Sequence, residues 1–347
     1  MKTIFRYLGV VLASLSILSC NVKTKVEPVK KAEVSDFFGQ WTIDIRGGGV
    51  GWLEVRQEKD YLDADLLWGG GSVVPVASVY LCEDKDLIVT RVDKVVRTKD
   101  ANNEPIRTQM NTNWLAVQRK GDKIVGILYN PRRDGSGVDT TSFVGTKLPA
   151  PPAAPDLTKI KLGTPINLFN GKDLTGWRLI NEKQKNGFYV ENGLLTNNPA
   201  QVEGAPHVSY GNLRTDQEFE DFNLKLEVNI PAGSNSGVYL RGMYEVQVVD
   251  SHQKALDPHN MGAVYSRITP TSSAEKPAGE WQTMDITLCD RHATVILNGV
   301  KIIDNQPIYG PTGGAMKSDV FAPGPIYLQG DHGKVSYKNL VLTPIIK

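Results

Sequence analysis

The stretch "FNLKLEVNI", Phe222 to Ile230, alternates without a break. Phe222, Leu224, Leu226, Val228 and Ile230 are apolar, and Asn223, Lys225, Glu227 and Asn229 are polar. A repeat of two is the period of a β-strand with one face buried. "WQTMDITLC" does the same, with Met284, Ile286 and Leu288 set against Trp281, Thr283, Asp285 and Thr287. "PIYLQGDHG" sets Ile326 and Leu328 against Tyr327, Gln329 and Asp331. Asn192-Gly193 in "FYVENGLLTNN" and Asn298-Gly299 in "TVILNGVKII" predict tight hairpins, because Asn-Gly tolerates the positive backbone angles such turns need. Long alternating strands joined this way imply two stacked antiparallel sheets, a jelly-roll β-sandwich. A curved sheet of that kind has a concave outer face, where a groove forms.

Upstream, "LPAPPAAPDL", Leu148 to Leu157, holds four prolines in ten residues, which no sheet or helix interior accommodates. It predicts a linker over 148–158, with the jelly roll at 159–347. Residues 37–147 read as a smaller all-β domain of about eight short antiparallel strands, a barrel or a sandwich, punctuated by Gly, Asp and Asn. Within it "FFGQWTIDI" resembles the first strand of a lipocalin-like barrel, where a Trp plugs the base; core packing explains Trp41 equally well. The fold class expected for the whole chain is therefore all-β.

The first twenty residues carry Lys2 and Arg6, an apolar run from Tyr7 to Leu18, then Ser19-Cys20. That is a secretory signal, too short for a stable spanning helix. It resembles a bacterial lipoprotein signal over 1–20, with Cys20 lipidated and 21–36 a flexible tether. No acidic cluster follows Cys20, which favours an exported lipoprotein on a periplasm-facing anchor over one at the cell surface. With 347 residues and a formal net charge of +1, the chain has no basic stripe, so nucleic-acid binding has no electrostatic support. Cys82 and Cys289 are expected as two separately buried thiols rather than a bridge, and no Cys pair has metal-ligand spacing.

"GVYLRGMYEVQVVD", Gly237 to Asp250, carries the functional question. Val238, Leu240, Tyr244, Val246 and Val248 read as a buried face, leaving Tyr239, Arg241, Met243, Glu245 and Gln247 on the other. Polar alternation alone is what any half-exposed strand shows. Here the types are specific: a flat ring, a fork of donors, a carboxylate and an amide. Sugars present apolar C–H faces and hydroxyl edges, and are bound by stacking and by planar polar side chains. Tyr265, Trp281 and Tyr327, on other strands, would complete such a groove. Gly242 marks a bulge or turn, across which the alternation need not continue. His332 follows the strand "PIYLQ". His252 and His259 lie in "VVDSHQKALDPHN" beside Asp250 and Asp257. That loop offers ligands for a divalent metal but matches no metal motif, and no cofactor is evident. His207 and His292 read as surface residues.

"INLFNGKDLTGW", "NSGVYLRGMYEVQVVDS", "GAVY", "GEWQTMDI", "VILNGVKIID" and "GPIYLQGDHGKVSYKNLVL" occur in that order. Together they resemble the 3-keto-disaccharide hydrolase family, across the second domain and none of the first. The resemblance implies a concanavalin-like jelly roll, an exported lipoprotein, and cleavage of glycosidic bonds in sugars already oxidised at C3. A ketone at C3 acidifies the C2 proton, so a base can form an enolate that expels the oxygen at C1. Water then adds back. Such a site needs a base, donors for the enolate oxygen and an acid for the leaving group. On this resemblance Glu245 and His332 are the candidate acid and base, and Asp331 orients His332 or acts directly. Arg241 and Gln247 grip the substrate, while Asn235, Tyr239, Tyr265, Trp281 and Gln329 line the groove. A separate sugar 3-oxidoreductase would supply the substrate. Two other readings stay open. One is a non-catalytic carbohydrate-binding lipoprotein. The other is a conventional laminarinase-like glycosidase, for which the Glu-x-Asp-x-x-Glu strand motif is missing.

Overall fold

The structure is a computed structural model that describes residues 31–83 and 85–346. The signal segment, Cys20 and most of the tether lie outside the described residues. Among the described residues there is no α-helix, and none is long and apolar enough to cross a membrane.

Nine strands form the first body: β1 (Gly39–Ile45), β2 (Val50–Gln57), β3 (Leu62–Trp68), β4 (Val74–Pro75), β5 (Ser78–Cys82), β6 (Asp86–Lys99), β7 (Pro105–Lys120), β8 (Lys123–Pro131) and β9 (Val138–Leu148). Their order is β4-β3-β2-β1-β9-β8-β7-β6-β5, antiparallel throughout. The two ends of this sheet are neighbours in sequence. Val76 N–H donates to Ala64 of β3 and Ala77 N–H to Thr90 of β6, so the link between β4 and β5 reaches both margins and the sheet curls into a barrel. Alternate residues fill it: Trp41 and Ile43, Leu53 and Val55, Ala64 and Leu66, Leu87 and Val89, Leu115 and Val117. Trp41 is fully buried, and its indole donates to Phe37 O at 2.8 Å. The hairpin β6–β7 runs past the barrel, and its far half is exposed on both faces. It therefore shows no alternation in sequence.

The second body contains β10 (Lys161–Leu162), β11 (Ile166–Asn167), β12 (Trp177–Leu179), β13 (Phe188–Glu191), β14 (Leu194–Asn197), β15 (Leu213–Thr215), β16 (Phe222–Asn229), β17 (Asn235–Leu240), β18 (Tyr244–Val249), β19 (Trp281–Cys289), β20 (His292–Leu297), β21 (Val300–Pro307), β22 (Tyr327–Leu328) and β23 (Val335–Ile346). The larger sheet runs β13-β14-β23-β16-β19-β20-β21, with β10 and β11 added on β23; the smaller runs β12-β15-β22-β17-β18. Leu224, Leu226 and Val228 of β16 and Met284, Ile286 and Leu288 of β19 share one core with Val238, Leu240, Tyr244, Val246 and Val248 of the smaller sheet. This is the jelly-roll sandwich. Both Asn-Gly hairpins form, each with two consecutive positive φ values, 51° and 77° at Asn192-Gly193, 51° and 84° at Asn298-Gly299.

Residues 32–347 make one compact unit. Trp52 and Leu67, paired across β2 and β3, point out of the barrel and join the jelly-roll core. The Arg267 guanidinium lies 4.0 Å above the Trp52 ring, donates to Pro311 O, and is pulled down to about 9 by burial. Arg291 donates to the carbonyls of Pro149 and Ala150, and Asn305 to Pro155 O, so the proline-rich segment is tied along the jelly roll. No disulfide joins Cys82 and Cys289; Cys289 is buried as expected, but Cys82, at the end of the outer strand β5, is only half-buried.

Candidate functional site

β17 and β18 form a hairpin with Tyr239 opposite Glu245 and Gly237 opposite Gln247. Opposite residues share a face, so Asn235, Tyr239, Glu245 and Gln247 all leave the sandwich on its outward side. That face is not wet. Tyr239, Glu245 and Gln247 are 2 %, 3 % and 3 % exposed, because loops cover the sheet around a hollow of about 300 Å³. The hollow is lined by these strands, by Tyr327 and Gln329 of β22 and its exit, by Asp331 and His332, by Tyr210 and Asn212 before β15, and by Tyr265.

Glu245 sits at its floor. Its Oε2 lies 2.8 Å from the Tyr239 hydroxyl, which is 2.7 Å from Gly313 O. The phenol has one proton for two acceptors. A carbonyl can only accept, so with that proton on Gly313 O the second bond is made by a protonated Glu245 carboxyl donating to the phenol oxygen. Burial pushes Glu245 up to about 8, and the Tyr239 hydrogen bond pulls weakly the other way. Desolvation also raises the Tyr239 and Tyr327 phenols, which stay neutral. Tyr327 donates to Gly314 O at 2.7 Å, and its ring stacks on Tyr239 with centroids 3.8 Å apart. Tyr239 therefore offers its hydroxyl rather than a free ring face.

Room for the carboxyl comes from Gly237. A Cβ there would lie 2.2 Å from Glu245 Oε1. The carboxamide oxygens of Asn235 and Gln329 are buried with no protein donor. An unpaired buried acceptor costs about 1–3 kcal/mol, which a ligand hydroxyl would recover. Gln247 Oε1 accepts from Val248 N–H, and Asp331 Oδ1 from Tyr210 N–H at 2.7 Å, which ties two wall segments together. His332 stands exposed at the rim.

Two expected residues lie elsewhere. Arg241 does not continue the strand: with φ of +54° it occupies the turn between β17 and β18, 3 % exposed, and donates to Val320 O and Ala322 O. The turn at Gly242 breaks the alternation, so the guanidinium braces a loop instead of reaching the hollow. Trp281 belongs to β19 of the other sheet, where its outward face carries it beneath the Lys338 ammonium at 4.2 Å. The loop residues proposed for a metal do not converge. Asp250 accepts from Gly233 N–H, His252 bonds Glu275 O, and His259 pairs with Asp257. His292 is buried, not on the surface. Asp221, Cys289 and Asp290, the one group of possible metal ligands close enough to share an ion among the described residues, lies outside the hollow.

Gly237 and the wall residues Tyr210 and Asn212 carry weak sequence signals. An isolated glycine within a strand was the only clue to Gly237. A larger depression of about 630 Å³ lies on the barrel across β7, β8 and β9, lined by Ala116, Val125, Ile127 and Val144 among others. It has no buried acid–phenol pair, so the smaller hollow is the stronger candidate site.

The family model described as "3-keto-alpha-glucoside-1,2-lyase-like domain" matches residues 164–343. No curated protein matches the chain. Among solved structures, "a putative glycosyl hydrolase from Parabacteroides distasonis ATCC 8503" is 29 % identical, with 56 % of this chain and 92 % of that one covered and a TM-score of 0.42. A non-specific endo-beta-1,3(4)-glucanase of family GH16 is 13 % identical, covering 56 % and 93 %, at 0.35. The carbohydrate-binding module CBM66 from Bacillus subtilis is 14 % identical, covering 48 % and 93 %, at 0.31.

Proposed function

Because the chain belongs to the 3-keto-alpha-glucoside-1,2-lyase-like family, we propose that it cleaves glycosidic bonds of sugars carrying a ketone at C3, by proton abstraction, elimination and hydration. The observation that carries the reading is the buried Glu245 carboxyl, held near neutrality against Tyr239 on the floor of a polar hollow. A carboxylate whose pKa is about 8 is a far stronger base than an ordinary one, and the C2 proton of a 3-keto sugar is only weakly acidic. Glu245, in its ionised form, takes that proton. The electrons form the C2–C3 enolate, then the C1–C2 double bond as the C1–oxygen bond breaks and the leaving oxygen takes a proton. Water adds at C1 and a proton returns to C2, so the balance is one water consumed per bond cleaved.

The other residues bind and orient. The Asn235 and Gln329 carboxamide oxygens accept from sugar hydroxyls. The Gln247 amide borders the substrate beside Glu245. Tyr265 offers a half-buried ring for a sugar face, and His332, at the rim, is placed to protonate a departing oxygen that points to solvent. A sugar 3-oxidoreductase must act first, since this chemistry needs the ketone already made. Tethering through Cys20 would keep the enzyme at the membrane facing the periplasm.

The test is turnover of a 3-keto-glucoside and of its unoxidised parent by the purified protein. Only the keto sugar should be cleaved, and Glu245→Gln should lower its turnover about a hundredfold or more. Cleavage of the parent would instead favour a conventional glycosidase. Binding of both without turnover would favour a sugar-binding module.

A further inference from the structure

One side of the hollow is built by the other β-body. The barrel strands β3 and β4 are joined by residues 69–73, and Gly70 and Gly71 of this segment line the hollow. Each flank is bonded to the jelly roll. Gly314 N–H donates to Gly69 O at 3.0 Å, and Val73 N–H donates to Ser266 Oγ at 3.0 Å. The Ser72 hydroxyl lies 2.9 Å from His259 Nε2 and 3.3 Å from the hydroxyl of Tyr265, itself a lining residue. Asp257 holds the other ring nitrogen of His259, which fixes the imidazole toward Ser72. The contact is tight. A Cβ on Gly313 would fall 2.1 Å from Gly71 O, so backbone meets backbone and no channel runs between them. Behind the segment, the Trp52–Arg267 stack anchors the barrel wall.

We propose that residues 69–72 act as a length gauge. They close one end of the sugar site, so that it takes a keto sugar in a short glycoside and excludes an internal residue of a longer chain. This rests on the reading of the hollow as a 3-keto-sugar site, and adds to it the element, contributed by the other β-body, that holds the site to short glycosides. A polymer bound at an internal residue must leave the site in two directions, and here one of them is protein backbone. At about 300 Å³ the hollow stands at the lower bound of small-molecule sites, which run from about 300 to 1,000 Å³.

The experiment compares a 3-keto-disaccharide with a tetrasaccharide bearing the same ketone on an internal residue. Turnover and calorimetric binding are measured for the wild type, Gly70→Trp and Ser72→Ala. Gly70 is a clean place to extend the wall, since its backbone is not left-handed and a Cβ there meets nothing within 4 Å. The wild type should prefer the disaccharide by about a hundredfold in kcat/KM, an exclusion built from clash rather than from lost contacts. Gly70→Trp should weaken disaccharide binding at least about tenfold with an unchanged melting temperature. Ser72→Ala, which frees the segment from His259 and Tyr265, should narrow the preference. Equal use of the two sugars by the wild type, or an unaffected Gly70→Trp, overturns the gauge. If the wild type cleaves neither sugar, the elimination chemistry fails, and the same ordering sought in the binding constants still decides the gauge; binding of neither sugar overturns both.

Discussion

At the residue scale, Glu245 links stability to activity. Its folded-state pKa, about 8, stands above the ordinary 4.5, so between these values the folded chain holds a proton that the unfolded chain has released. Stability from this group is full below about pH 4.5 and is lost as pH rises through about 8, each unit of displacement being worth ~1.4 kcal/mol. Glu245→Gln cannot ionise. Its melting temperature should match the wild type near pH 5 and exceed it at pH 9; melts at both values check this, and a constant difference would contradict a buried neutral carboxyl. Activity should run oppositely. If ionised Glu245 is the base, kcat/KM rises with pH and levels off above about 8, whereas a profile that falls through 8 would make Glu245 the acid. Gly237 gives a second test. Its φ is not left-handed, so alanine suits the backbone, but the methyl takes the place of Glu245 Oε1. Gly237→Ala should cut turnover at least about tenfold through misplacement of the carboxyl while the protein stays folded, as judged by circular dichroism.

At the scale of elements, the hairpin of β17 and β18 decides which side chains meet. Its register sets Tyr239 opposite Glu245, and the turn at Arg241 and Gly242 removes Arg241 from that face. Two residues beyond Tyr239, the period of a strand would have brought the guanidinium into the hollow. The turn sends it to the carbonyls of Val320 and Ala322 instead. β22 contributes differently. Only Tyr327 and Leu328 pair as strand, yet the alternation persists past them, so Tyr327, Gln329 and Asp331 reach the same hollow that the pattern of "PIYLQGDHG" points to.

At the scale of the whole molecule, the barrel and the jelly roll share a core. Trp52, Leu67 and Leu148 pack into the jelly-roll cluster, and the proline-rich segment is bonded along its side. The two bodies should therefore unfold together. Scanning calorimetry is expected to show one transition, and Trp52→Ala, which removes a buried ring worth about 3–5 kcal/mol, should lower its temperature or split it. Two separate transitions in the wild type would show the barrel to be an independent appendage.

Local pattern by itself determined the long strands of the jelly roll, the two Asn-Gly hairpins and the sandwich, because alternation and turn chemistry are written in residues a few positions apart; the exposed far half of the β6–β7 hairpin carries no such pattern. Alternation pointed to Tyr239, Glu245 and Gln247, and the family resemblance added Asn235, Tyr265, Gln329, Asp331 and His332; the structure gathers all eight around one hollow. Only the tertiary structure decided that Trp281 faces away on the opposite sheet, since alternation says which residues share a face and not which sheet a strand joins. Only it placed Gly70 and Gly71 beside Glu245, some 170 positions away in the chain. Two neighbouring apolar pairs, Trp52-Leu53 and Leu66-Leu67, bear the trace of that docking, for a strand needs apolar residues on both faces only when both are buried. The raised Glu245 carboxyl has the same origin. Desolvation depends on what covers a group, and the cover over Glu245 is assembled from loops that no local pattern brings together.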